Sequence, residues 1–152
     1  VPGLLESVRA AAADWPVQPR IVVSDDDKKA AFRTARAALA KSGTVTLELA
    51  LAGVPMVTAY RVTELEAFVA RRVIQTSSII LANLILGENV IPEFLQQDFT
   101  AENLAPALRD VLEDTPARQR QVDAFARLEE IMSTGGKRPS ELAADNVIAI
   151  LR

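Results

Sequence analysis

An open, parallel α/β sheet with helices on both faces is the fold this sequence predicts, and three observations predict it. Short runs rich in β-branched residues alternate with segments of helical periodicity through the first half of the chain. Those runs end in Ser, Gly, Asp or Thr, the residue types of strand-to-helix turns. Beyond residue 100 the apolar spacing is helical only. Strands that alternate with helices come out parallel, because each crossover returns the chain to the same edge. The expected product is a Rossmann-like sheet that ends in C-terminal helices.

The elements follow in chain order. Leu4, Leu5, Val8 and Ala12 recur at helical spacing and predict a helix over residues 4–14, which Trp15-Pro16 ends. Arg20–Ser24 reads as a buried strand. Ser24, with the acid Asp27 three residues on, caps a helix that runs to about Arg36. Ala37–Lys41 is a second strand, Thr44–Ala52 a helix closed by Gly53, and Pro55–Tyr60 a third strand. Leu65, Phe68, Val69 and Val73 share one side of a helix over Glu64–Ile74, and Ser77–Leu81 is a fourth strand. Residues 82–99 read as irregular, with a helical turn at Pro92–Gln96. Thr100 caps a helix carrying Leu104, Leu108, Val111 and Leu112, with Pro106 inside it. Pro116 starts a helix to about Met132, Gly135–Arg138 is a loop, and Ser140–Leu151 is the last helix.

Composition narrows the chemistry. The 152 residues are 49% hydrophobic, enough for one core and too apolar for a disordered chain. Cysteine and histidine are both absent, which excludes disulfides, thiolate and imidazole metal sites and the Ser–His–Asp triad. Seventeen basic against twenty acidic residues give a net charge of −3, so nucleic acid is not an expected partner. No apolar run approaches the roughly 18 residues of a membrane span. Val1-Pro2-Gly3 lacks the pattern of a signal peptide, and without an initiator Met the chain reads as a piece of a longer protein.

In open parallel sheets ligands bind outside the carboxyl ends of the strands. Ser24–Asp27, Ser42–Thr44, Arg61–Glu64 and Asn83 therefore carry the functional information. The stretch SGTVTLELALAGVPMVTAY (residues 42–60) holds a single charged side chain, Glu48. Ser42-Gly43-Thr44 forms a turn into a helix whose first N–H groups are unpaired and sit at the positive end of the dipole, a place that favours phosphate. Glu48 lies four residues after Thr44 on the same face, about one turn (~5.4 Å) along. A carboxylate there suits the vicinal hydroxyls of a ribose beside a diphosphate. Its alternatives are a solvent-facing acid or a partner for a cation; neither Ser42 nor Thr44 has it at capping-box spacing.

Other candidates have plainer readings. Asp25-Asp26-Asp27 caps and complements a helix start rather than holding a metal. Arg71-Arg72 reads as a solvated helix face, with contact to anionic lipid as the alternative. Gly135-Gly136-Lys137 is a linker and not a phosphate loop. Tyr60 and Trp15 are core or rim aromatics.

SGTVTLELALAGVPMVTAYRV, followed by NLILGENVIPEFLQQDFTAENLAPAL, resembles the C-terminal half of the lipid-A-disaccharide synthases, a family of GT-B glycosyltransferases. Asn83-Leu84 and Pro92-Glu93-Phe94-Leu95-Gln96 are the more specific part. The resemblance implies transfer of 2,3-diacylglucosamine from its UDP conjugate to 2,3-diacylglucosamine 1-phosphate (lipid X) in lipid A biosynthesis, giving a β-1′,6-linked disaccharide phosphate and UDP. It implies no metal and no cofactor, and a cytoplasmic enzyme peripheral to the inner membrane. Apolar surface left bare where the other half is absent would favour a homodimer. Residues 1–115 would form the Rossmann-like donor domain. Residues 116–152 would be C-terminal helices packing on it or on an N-terminal acceptor domain that lies outside the chain and carries the general base. The chain alone would then bind UDP without catalysis. Ser42, Gly43 and Thr44 would cradle the diphosphate, Glu48 would hold the ribose, Arg61 would neutralise phosphate, and Asn83 and Gln96 would reach the donor sugar or diphosphate. At Gly87-Glu88-Asn89 the chain departs from relatives that carry Arg after the glycine. The alternatives are the UDP-binding half of another GT-B transferase, a UDP-sugar epimerase, and a non-catalytic Rossmann-like interaction module.

Overall fold

The computed structural model describes residues 2–61, 78–136 and 138–150. The expected helix over Glu64–Ile74, with Arg71 and Arg72, lies outside the described residues, as does Lys137. The chain divides into two compact units, Val1–Ala35 and Arg36–Arg152.

The first unit is two helices. A 3-10 turn, Pro2–Leu4, leads into α1 (Leu5–Ala12). Past its end the Gln18 side-chain amide donates to the carbonyls of Ala13 and Trp15 at 3.0 and 3.1 Å, pinning the chain that leaves the helix. The next helix, α2 (Asp25–Thr34), starts at the predicted cap: the Ser24 hydroxyl accepts from the Asp27 N–H at 3.1 Å and donates to the Asp27 carboxylate at 2.8 Å. Arg20 pairs with Asp27 and Lys28 with Asp25, so this acidic run is capped and paired. Among the described residues no cluster of three potential metal ligands forms. The strand expected at Arg20–Ser24 does not form. A strand exists through the ladder it makes with a neighbour, and among the described residues none pairs with this stretch.

The second unit holds the sheet. β1 (Ala38–Ala40), β2 (Met56–Tyr60) and β3 (Glu93–Leu95) are all parallel, in the order β1-β2-β3. Met56, Val57, Thr58 and Ala59 are all buried. Successive side chains on a strand face opposite ways, so both faces of β2 are covered. The helices are α3 (Thr44–Leu51), α4 (Leu81–Leu86), α5 (Ala101–Leu112), α6 (Pro116–Met132) and α7 (Pro139–Ile150). Helix α3 packs on β1 and β2, α5 packs on β2, and α6 meets α3, α4 and α5. Thr100 and Thr115 cap α5 and α6 through their hydroxyls, at 3.3 and 3.1 Å from the N–H three residues on. The core is Leu49, Ala50, Val54, Met56, Val57, Ile80, Ile91, Val111, Phe125 and Leu128. Each large aliphatic side chain buried there contributes about 1.5–3 kcal/mol.

Two expectations change. Ser78–Ile80 has no ladder, and the helix α4 begins at Leu81, where a fourth strand was expected. The run Ile79–Leu86 is nearly all apolar, and such a run carries no period that separates a buried strand from a buried helix. Residues 82–99, expected to be irregular, contain α4, β3 and a 3-10 turn at Gln96–Asp98. β3 forms because β2 presents an open edge to it, through Thr58↔Glu93 and Tyr60↔Leu95.

One polar side chain completes the sheet. The N–H of Ala38 bonds the Pro55 carbonyl, and the N–H of Thr58 bonds the Pro92 carbonyl at 3.0 Å, so Met56 turns its own N–H and C=O toward the β3 side. β3 does not extend that far. Gln121, buried on α6, supplies the missing rung: its amide accepts from the Met56 N–H at 2.7 Å and donates to the Met56 carbonyl at 3.0 Å.

Candidate functional site

The three strands end at one edge. Ala40 pairs with Thr58, and Tyr60 pairs with Leu95, so the segments that leave β1, β2 and β3 emerge side by side. Neighbouring strands lie about 4.8 Å apart. Ser42–Thr44 follows β1, Arg61 follows β2 and Gln96 follows β3, which places five of the seven expected site residues on this carboxyl edge.

Gly43 occupies the turn into α3 with φ 152° and ψ −170°, a backbone region open essentially to glycine alone. A Cβ there would meet nothing within 4 Å, so the backbone angle, and not crowding, reserves the position. The Gly43 carbonyl accepts from both the N–H and the hydroxyl of Thr46, at 3.2 and 2.7 Å. It is thereby drawn into the helix, whose first N–H groups lie beyond intrahelical reach and suit an anion.

Glu48 stands on the exposed face of α3 with Thr44 and Leu51, while Thr46, Leu49 and Ala50 face the core. The greasy stretch around Glu48 in sequence is thus the buried face of α3 followed by the buried strand β2, while the other face of α3 is open. The carboxylate sits about one helical turn from the Gly43 end.

Arg61 is exposed and already engaged. Its guanidinium donates to the Phe99 carbonyl at 3.2 Å, and its Cζ lies 5.1 Å from the centre of the Phe99 ring. Gln96 has φ 51°, and among the described residues it is the one non-glycine with positive φ. Just inside the edge, burial raises the Tyr60 hydroxyl above its ordinary pKa, and the Glu93 carboxylate adds to the effect.

Asn83 lies elsewhere. It is buried, and its amide is committed to the chain that leads into β3. Its oxygen accepts from the N–H groups of Val90 and Ile91 at 3.1 and 3.0 Å, and its nitrogen donates to the Ile91 carbonyl at 3.0 Å and the Ser78 hydroxyl at 3.2 Å. Ser78 in turn donates to Glu93. Asn83 and Glu93, both in the more specific part of the resemblance, thus form one polar knot that fixes where β3 starts. Glu88, in the Gly87-Glu88-Asn89 stretch, pairs with Arg127 of α6.

The sequence reading passed over Gln121, Ser78 and Phe99. A buried glutamine on α6 breaks an apolar face and carried a signal in principle. Phe99 carried none, because its partner Arg61 is 38 residues away.

The lipid-A-disaccharide synthetase family model matches residues 8–147. Relatives include the lipid-A-disaccharide synthases of Nitrobacter hamburgensis, 68% identical over 97% of this chain and 37% of that protein, and of Bradyrhizobium diazoefficiens, 64% identical over 100% and 39%. The Rhodospirillum centenum lipid-A-disaccharide synthase is 41% identical over 99% of this chain and 38% of its own length. The chain therefore spans about two fifths of the length of these relatives.

Proposed function

The chain belongs to the lipid-A-disaccharide synthetase family, and we propose that it is the donor-nucleotide domain of such an enzyme. The observation that carries this reading is the carboxyl edge. There a glycine-only backbone opens α3, and Glu48 stands one turn along the exposed face of the same helix. The start of α3, with Ser42, Gly43 and Thr44, receives the diphosphate. Glu48 accepts hydrogen bonds from the ribose hydroxyls. Arg61 offsets phosphate charge, and Gln96 reaches the sugar or diphosphate from the β3 side. Asn83 serves by holding the 89–93 segment, and with it the strand that delivers Gln96.

The reaction is displacement at C1 of 2,3-diacylglucosamine in its UDP conjugate by the 6-hydroxyl of 2,3-diacylglucosamine 1-phosphate. The C1–O bond to the diphosphate breaks, the new C1–O bond forms, and the hydroxyl proton leaves to a base supplied by the rest of the protein. Negative charge builds on the departing UDP oxygen. The helix start and Arg61 are placed to stabilise it, which is this domain's share in catalysis. Residues 1–115 are read as the donor domain, with residues 116–152 completing it or meeting the acceptor half. The substrates carry acyl chains, so the enzyme works at a membrane surface; no helix among the described residues is long and apolar enough to cross one.

Titration of the 152-residue chain with UDP by calorimetry tests the reading. Binding in the micromolar-to-millimolar range is expected, with at least a tenfold loss in Glu48→Ala and no sugar transfer by the chain alone. UDP binding that Glu48→Ala leaves untouched would remove the ribose role and with it the donor assignment.

A further inference from the structure

We propose that Phe99 is a positioning residue that presets the Arg61 guanidinium for the diphosphate. The inference rests on the donor-site reading above. An exposed arginine samples many rotamers and loses that freedom when it binds an anion, so a guanidinium already held loses less. Arg61 is held twice by one residue, through a hydrogen bond to the Phe99 carbonyl at 3.2 Å and by its position over the Phe99 ring at 5.1 Å. These contacts use one N–H and one face of a group that has five N–H donors, which leaves a fork able to meet phosphate.

The backbone explains how Phe99 comes to be there. Gln96, in the left-handed region at φ 51°, turns the chain sharply as it leaves β3. The 3-10 turn Gln96–Asp98 follows, with the Phe99 N–H bonding back to the Gln96 carbonyl at 3.3 Å. The chain is thus folded back toward the end of β2, where Arg61 emerges. The unusual dihedral, the half-buried ring and the cation belong to one arrangement that reaches across two strands.

The test compares UDP with uridine, which lacks phosphates, in NMR titrations of the full chain. Phe99→Leu should weaken UDP binding about five- to tenfold and leave uridine unchanged. Arg61→Lys should do the same, and the double variant should be no weaker than Arg61→Lys alone, because the two act through one contact. Phe99→Tyr keeps the ring and should keep wild-type affinity, which guards against a Leu variant that folds poorly. An equal loss for UDP and uridine in Phe99→Leu would mark a merely structural residue and overturn the proposal, as would unchanged UDP affinity beside a weakened Arg61→Lys. Should Glu48→Ala also leave UDP binding unchanged, the donor site itself falls; if Glu48→Ala weakens binding and Phe99→Leu does not, only the role of Phe99 falls.

Discussion

Two groups of polar residues serve the same three strands in opposite ways. The inner group is Gln121 against Met56 and the knot of Asn83, Ser78 and Glu93. Gln121, Asn83 and Ser78 are buried, and every buried side-chain nitrogen or oxygen among the described residues has a partner. The outer group is Gly43, Arg61 and Gln96 at the carboxyl edge, with Glu48 one helical turn along α3. Its members are exposed or half-buried, and two of them hold backbone angles that ordinary residues avoid. The inner group satisfies the fold's own hydrogen bonds. The outer group lies at or near the surface and includes two backbone conformations that cost energy, the combination expected of a binding edge.

Substitutions can break this contrast. Gln121→Leu removes the rung and leaves the Met56 N–H and C=O buried without partners, at about 1–3 kcal/mol each. The expected loss of about 2–6 kcal/mol is read by chemical denaturation, with UDP affinity of the folded protein unchanged. Weakened UDP binding at unchanged stability would move Gln121 into the site and dissolve the distinction.

Gln96→Gly should act with the opposite sign. It relieves the left-handed backbone, while the glycine's extra freedom in the unfolded chain and the loss of the Gln96 side chain's own contact offset part of that relief, for a net gain below about 1 kcal/mol. UDP affinity should fall. A variant less stable than the parent would show that the turn is held by contacts of the Gln96 side chain and not kept in spite of strain.

The smallest effect lies outside both groups. Glu102, in the first turn of α5, is held below the ordinary carboxylate range by its own backbone N–H and then by the Thr100 hydroxyl. As pH falls, the unfolded chain takes up the proton first. The contribution is therefore present above about pH 4.3 and is lost as pH falls through the folded-state value. Denaturation midpoints from pH 7 to pH 3 should drop less steeply in Glu102→Gln, and UDP binding at pH 7 should not change.

Local signals made much of the fold legible. Ser24, Thr100 and Pro116 announce helix starts through capping chemistry that needs only neighbours in sequence, and the structure begins α2, α5 and α6 at those places. Pro55–Tyr60 was legible as a strand because its apolar run is short and bounded by Gly53. β3 was not: it is three residues long, contains Glu93, and exists by pairing with a strand more than thirty positions earlier. Ser77–Leu81 misled because an unbroken apolar run looks alike in helix and strand. The position of Gly43 and Arg61 at the carboxyl edge was readable from their places after strands. Asn83, expected to reach a ligand, is instead buried against the 90–91 backbone, since sequence does not say which way an amide faces.

The Gln121 bridge also bears on the order of events during synthesis. It joins positions 65 apart, so the start of β2 leaves the ribosome with its outer backbone groups bare and keeps them so until the middle of α6 has emerged. Contacts this distant form late. A nascent chain halted before residue 121 would expose an unpaired strand edge, which is a template for association with other chains. Helix α6 therefore acts as the closing piece of the sheet, and versions of this domain cut before residue 121 should self-associate more than the complete domain does.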